Sequence, residues 1–154
     1  MTAFPTVGDA VPDIAMTAAD GSPVKVSDFA GRKLVLFFYP KDDTPGCTTE
    51  NKDFSELAEE FAKAGTALLG ISKDPPAKHA KFAAKHGLVA PLASDAEADG
   101  LSDALGIWRE KQNYGRTYMG NCNLSSLHAA HPEFWGPDGS YNMTAMRAVV
   151  KVQQ

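Results

Sequence analysis

The chain has 154 residues, 44% of them hydrophobic, which is enough to bury one core but not two, so a single domain over 1–154 is expected. A net charge of -4 and a pI near 5.5, with no basic cluster, argue against nucleic acid or an acidic membrane as partner. The first residues lack a basic stretch followed by an apolar run, and the longest apolar run, Leu34 to Tyr39, is too short to span a bilayer, so a cytoplasmic location is expected.

Pro12 to Met16 and Pro23 to Val26 flank the turn signal Asp20-Gly21-Ser22, which predicts an opening hairpin. Ser27 caps a short turn through Phe29, broken by Gly31. Lys33 to Tyr39 is apolar and bounded by Gly31 and Pro40, the pattern of a central strand covered on both faces. Asp42 to Gly46 is a loop. Beyond it Phe54, Leu57 and Phe61 recur at spacings of three and four, predicting one amphipathic helix with Thr44 as N-cap, Pro45 where a missing amide hydrogen does no harm, and Gly65 as its end. Ala67 to Ser72 reads as a second buried strand, and Asp74-Pro75-Pro76 opens a helix with Ala80, Phe82 and Ala83 on its apolar side. Leu88 to Leu92 is read as a short third strand despite Pro91, and Asp95 to Leu105 as a further helix. The alternation of strand and helix from Lys33 onward predicts an α/β sheet with crossover helices.

Two cysteines, Cys47 and Cys122, exclude a disulfide framework. A thiol attacks only as its thiolate, and an ordinary cysteine, with a pKa of about 8.5, is mostly protonated in neutral water. Cys47 falls in the opening turn of a helix behind a buried strand, where backbone amides and the positive end of the helix dipole stabilise an anion. Amides near Gly46 and Cys47 can bind the oxygens of a peroxide, the Thr44 hydroxyl can orient one of them, and Pro40 can shield the sulfur from water. Attack on one oxygen gives a sulfenic acid and water or an alcohol, with no metal or organic cofactor. The alternative, that Cys47 is a plain buried residue, fits poorly with a helix start behind a Thr-Pro-Gly loop.

Tyr39-Pro40-Lys41-Asp42-Asp43-Thr44-Pro45-Gly46-Cys47-Thr48-Thr49-Glu50 resembles the active-site segment of peroxiredoxins, in particular the bacterioferritin comigratory protein branch, or Q type. The resemblance runs from about Val7 to Gly120 and takes in Gly8 to Asp13, Leu69 to Ser72, Trp108 to Lys111 and Tyr114 to Arg116. It implies a thioredoxin-like fold, a central mixed sheet flanked by helices with an N-terminal hairpin extension. It also implies that Cys47 is the peroxidatic residue, with Thr44 and Pro40 completing the pocket, in an antioxidant enzyme reducing hydrogen peroxide and organic hydroperoxides.

The chain departs from that pattern in two places. Many members of the branch carry a resolving cysteine five residues after the first, or on the next helix, and here those positions are Lys52 and Ala83. The resemblance is therefore to one-cysteine members reduced by an external thiol, whether thioredoxin, glutaredoxin or glutathione, acting as a monomer or weak dimer. Cys122 can resolve Cys47 only if their α-carbons come within about 7 Å, and an incidental cysteine is the favoured reading. With His128 and His131 it makes three candidate metal ligands without paired-cysteine spacing, and no metal is expected.

The second departure is the segment 121–154. The family's arginine soon after Gly120 is missing, since no arginine lies from Asn121 to Met146, and losing one preorganised donor costs on the order of 2–4 kcal/mol of barrier. Arg116 and Arg147 are read as surface or loop residues. Ala148 to Val152 reads as a strand, but a longer histidine-containing segment replaces the strand expected before Gly136-Pro137-Asp138-Gly139. Trp108, Tyr114 and Tyr118 are read as packing under a loop, and Glu50 as a charge favourable to the helix dipole. Two functions remain: a peroxidase, or a catalytically impaired relative serving as redox sensor or binding module.

Overall fold

The computed structural model describes residues 10–96, 100–113, 116–121 and 124–125. In chain order these form β1 (Met16–Ala18), β2 (Pro23–Val24), a 3-10 turn (Val26–Phe29), β3 (Lys33–Phe38), α1 (Pro45–Glu56), α2 (Ala58–Lys63), β4 (Thr66–Ser72), α3 (Pro76–His86), β5 (Leu92–Ser94), α4 (Leu101–Ala104), β6 (Trp108–Asn113), β7 (Arg116–Asn121) and β8 (Leu124–Ser125). The main sheet runs β2-β1-β5-β4-β3-β8, and β6 and β7 form a separate antiparallel pair.

β3, β4 and β5 are parallel, while β1, β2 and β8 are antiparallel to their neighbours, so the sheet is mixed. The order β3, β4, β5 advances in one direction, and crossovers of one hand then set α1, α2 and α3 on the same face. Period-two alternation divides β3 between two cores. Val35, Phe37 and Tyr39 join Leu68 of β4, Phe54 of α1, Phe61 of α2 and Phe82 of α3, whereas Leu36 and Phe38 join Leu69 and Ile71 of β4, Met16 of β1 and Leu101 of α4. Burial on both faces accounts for the continuous apolar run in β3.

One glycine matters for the site. A Cβ on Gly70 would lie 2.6 Å from the Phe37 ring and 2.8 Å from Leu92, so only glycine lets that ring lie flat across β4. The same ring stacks on Phe54 with centroids 4.2 Å apart, tying α1 to the central strands.

Several boundaries differ from the sequence reading. The expected single helix from Pro45 is broken at Leu57 (φ -91°, ψ 1°) into α1 and α2, with the buried stripe continuing through both. The third strand is Leu92–Ser94 rather than 88–92, because Pro91 lacks an amide hydrogen; the amides of Val89 and Ala90 donate instead to the Ser55 hydroxyl. Of the helix expected over 95–105 only Leu101–Ala104 is helical among the described residues, and the buried Asp95 carboxylate accepts from the amides of Leu101 and Ser102 at its start. The hairpin is present, but its first strand is Met16–Ala18, since the turn closes from the Ala18 amide to the Ser22 carbonyl. Ser27 lies inside the 3-10 turn rather than capping it; its amide donates to Asp13. The open edge of β3 is met by β8, through Phe37 with Ser125 and Phe38 with Leu124.

Candidate active site

The chain leaves β3 at its C-terminal end, passes through a loop from Pro40, and enters α1 at Pro45. Proline suits this first helical position because its fixed φ is helical and the amide it lacks has no intrahelical partner. Thr44 holds the N-cap position in extended conformation (φ -92°, ψ 153°), and its carbonyl accepts from the Thr48 amide at 2.8 Å. Its hydroxyl does not cap. It donates instead to the Lys41 carbonyl at 2.9 Å, which tightens the loop, so Thr44 is the N-cap expected from the sequence but holds that position without a side-chain bond to the helix.

Cys47 is the third residue of α1 and only 6% exposed. Cys47, Glu50, Asn51 and Phe54 form the buried stripe of this helix at i, i+3, i+4 and i+7. Two influences therefore compete at the sulfur. The helix head favours an anion, while apolar neighbours in the Tyr39–Phe54 core oppose one. Gly46, beside Cys47, is exposed, and a Cβ built there meets nothing within 4 Å among the described residues.

The loop before Cys47 is fastened to its surroundings by two consecutive aspartates. Asp42 is buried: its carboxylate accepts from the Tyr39 hydroxyl at 2.6 Å and meets His79 Nδ1 at 2.6 Å, while its amide donates to Asp74 at 2.7 Å. Asp43 is exposed and takes a left-handed conformation (φ 60°), which aspartate tolerates better than most non-glycine residues. Lys85 and His86, in the last turn of α3, contact its carboxylate at 2.7 and 2.8 Å.

These contacts set the local ionisation. Burial, and then the neighbouring Asp42 charge, push the Tyr39 hydroxyl far upward, so it stays a donor. The hydrogen bond from Lys85, then that from His86, lowers Asp43. Burial acts to raise Asp74, but donors from Lys78, the Asp42 amide and Ser72 outweigh it and hold the group below the ordinary carboxylate range.

Cys47 and Thr44 thus share the head of α1, and Pro40 stands where the loop leaves β3. Lys52 is exposed, and Ala83 is half-buried against the core on α3. Glu50 is not a first-turn charge facing solvent; it is 2% exposed in the second turn. Lys73 Nζ lies 5.1 Å over the Trp108 ring. Cys122, His128, His131, Tyr114, Arg147 and the strand expected over 148–152 lie outside the described residues, as do the side chains of Arg116 and Tyr118. Among the described residues no group of three or more His, Cys, Asp or Glu is placed to hold a metal, and no helix is long and apolar enough to cross a membrane. A groove of about 460 Å³, bordered by Arg32, Glu59, Ala62, Val89 and Pro91, opens at the N-terminal ends of β3 and β4, away from Cys47.

Two features escaped the sequence reading. Asn51 is fully buried one turn below Cys47; its Nδ2 donates to the Cys47 carbonyl at 2.9 Å, and its Oδ1 has no hydrogen-bond partner among the described residues. His79 is likewise fully buried and joins α3 to the loop. The four-residue spacing from Cys47 to Asn51 was the available signal for the first, and the position of His79, three residues before Phe82 on the apolar side, for the second.

Residues 7–148 match the AhpC/TSA family. Peroxiredoxin Bcp of Bacillus subtilis (strain 168) is 44% identical over 114 residues, 74% of this chain and 72% of the relative. Among solved structures, Peroxiredoxin Q of Xanthomonas campestris superposes with a TM-score of 0.72 at 33% identity, covering 99% of this chain and 96% of that one. The bacterioferritin comigratory protein of the same organism, whose structures address alkyl peroxide reduction, gives a TM-score of 0.70 at 32% identity over 94% of this chain and 98% of that one.

Proposed function

The chain belongs to the AhpC/TSA family and is a thiol-dependent peroxidase of thioredoxin-like fold, and on that premise we propose that Cys47 is its peroxidatic residue, with Thr44 and Pro40 shaping the pocket. The observation that carries this reading is the placing of a buried thiol in the first turn of α1, directly behind Thr44-Pro45-Gly46 and at the C-terminal end of the central strand. The Cys47 thiolate attacks one peroxide oxygen; the sulfur–oxygen bond forms as the oxygen–oxygen bond breaks, and the departing alkoxide or hydroxide takes a proton. Sulfur is oxidised to sulfenic acid and peroxide reduced to water or alcohol.

An external thiol then displaces hydroxide from the sulfenic sulfur, releasing water and leaving a mixed disulfide, and a second thiol returns Cys47 to its reduced state. Lys52 and Ala83, where the branch often has a resolving cysteine, support this one-cysteine cycle with thioredoxin, glutaredoxin or glutathione as reductant. Alkyl hydroperoxides are proposed as substrates beside hydrogen peroxide, in a single cytoplasmic domain that works as a monomer or weak dimer.

The lack of arginine from Asn121 to Met146 favours a second reading, a non-cycling sensor or binding module. Peroxide consumption with dithiothreitol in excess separates the two. Sustained turnover that vanishes in Cys47→Ser is the expected result; consumption of a single equivalent supports the sensor, and turnover surviving in Cys47→Ser removes Cys47 from its role.

A further inference from the structure

We propose that His79 is a positioning residue for Cys47, acting through Asp42 by way of a single proton shared between the two side chains. The inference rests on Cys47 being the reactive residue. His79 is fully buried on α3, and both ring nitrogens face acceptors: Nε2 lies 3.0 Å from the Ala93 carbonyl and Nδ1 lies 2.6 Å from Asp42 Oδ2. A carbonyl oxygen only accepts, so Nε2 carries a hydrogen. At 2.6 Å a bare Nδ1 lone pair and a carboxylate repel each other, so Nδ1 carries the proton between them and donates it to Asp42 Oδ2 in a short charge-assisted bond.

The other Asp42 oxygen accepts from the Tyr39 hydroxyl at 2.6 Å, and the Asp42 amide reaches Asp74. Asp42 is thereby fixed from the end of β3, from α3 and from the segment between β4 and α3. Its neighbour Asp43, in left-handed backbone, is held by Lys85 and His86 at the far end of α3. Helix α3 thus grips both aspartates of the loop that carries Pro40 and Thr44 and ends in Cys47. A surface ion pair is replaceable by water, whereas Asp42 without its proton-bearing partner would be a buried charge left short of donors, and the loop would move to hydrate it. Misplacing a reacting group by about 1 Å costs on the order of a hundredfold in rate, so slackening here is read at the sulfur.

The test is single-turnover oxidation of Cys47 by hydrogen peroxide in the full chain, with wild type as reference for the reading beneath it: a wild-type Cys47 that gains no oxygen by mass defeats that reading, not this one. With wild-type oxidation established, His79→Gln is expected to slow the peroxide step at least about tenfold. Reduction of the sulfenic acid by a small thiol should not slow, and Asp42→Asn added to His79→Gln should bring no further loss. A wild-type peroxide rate in His79→Gln, or losses that add in the double variant, overturns the proposal. A readout independent of the variant's folding is the proton spectrum of the wild-type chain with labelled histidine. A slowly exchanging downfield proton bound to His79 Nδ1, shifted when one equivalent of peroxide oxidises Cys47, is expected; its absence, or indifference to that oxidation, overturns the proposal.

Discussion

Asn51 illustrates how a polar residue can sit on a buried stripe at small net cost. Its Nδ2 donates to the Cys47 carbonyl, but its Oδ1, unpartnered among the described residues, carries a desolvation penalty of comparable size. Asn51→Ala removes the gain and the penalty together, so urea unfolding should find it within about 1 kcal/mol of wild type; a loss several times larger would mean that Oδ1 has a donor in solution. At this scale the sequence was half legible. Cys47 and Thr44 stood out because a thiol and a hydroxyl around Pro45-Gly46 at a helix start have few other uses. Asn51, Asp42 and His79 did not, because burial of a polar side chain depends on partners distant in sequence, and Asp42 and His79 meet only when α3 folds back over the loop. Thr44 takes the N-cap position expected of it, but a hydroxyl there has competing carbonyls nearby, and that of Lys41 accepts from it.

Helix α1 hangs from the sheet by aromatic stacking, and the stack depends on an empty position. Phe54 lies on Phe37, and the Phe37 ring occupies the space where Gly70 has no side chain. Gly70→Ala should therefore destabilise the chain by about 1–3 kcal/mol, seen as a lower Tm, because neither ring can retreat without disturbing the packing. An unchanged Tm would mean that the strands part more easily than their register implies. The strands β3 and β4 were legible as elements because apolar runs bounded by glycine and proline leave little choice. The short elements were not. β5 begins beyond Pro91, and the Asp95 carboxylate satisfies the first amides of α4, so the helix starts at Leu101. Side-chain capping of this kind depends on a buried carboxylate that no periodicity announces.

The whole molecule inherits a pH dependence from its loop contacts. The carboxyl of Asp74 is lowered on folding, so the native chain gives up that proton more readily than the unfolded one. The associated stabilisation is complete above the ordinary aspartate value of about 3.9 and is lost as pH falls through the lower native value. The exposed Asp43 titrates in the same direction as Lys85 and His86 release it. Unfolding midpoints should fall below about pH 4, and Asp74→Asn should flatten that acid limb; a limb unchanged by the substitution would place the acid sensitivity elsewhere. The α/β plan was legible from the alternation of strand and helix, whereas the mixed sheet order, with β1 against β5 and β8 against β3, comes from pairings between distant segments.

The peroxidatic role assigned to Cys47 requires that the head of α1 prevail over burial in deciding the charge on its sulfur. The rate of alkylation of Cys47 as a function of pH, measured in a Cys122→Ser chain so that one sulfur reports, tests this directly. The predicted profile has its midpoint well below pH ~8.5, the value of an ordinary cysteine, with substantial thiolate at neutral pH. A midpoint at or above that value would contradict the account.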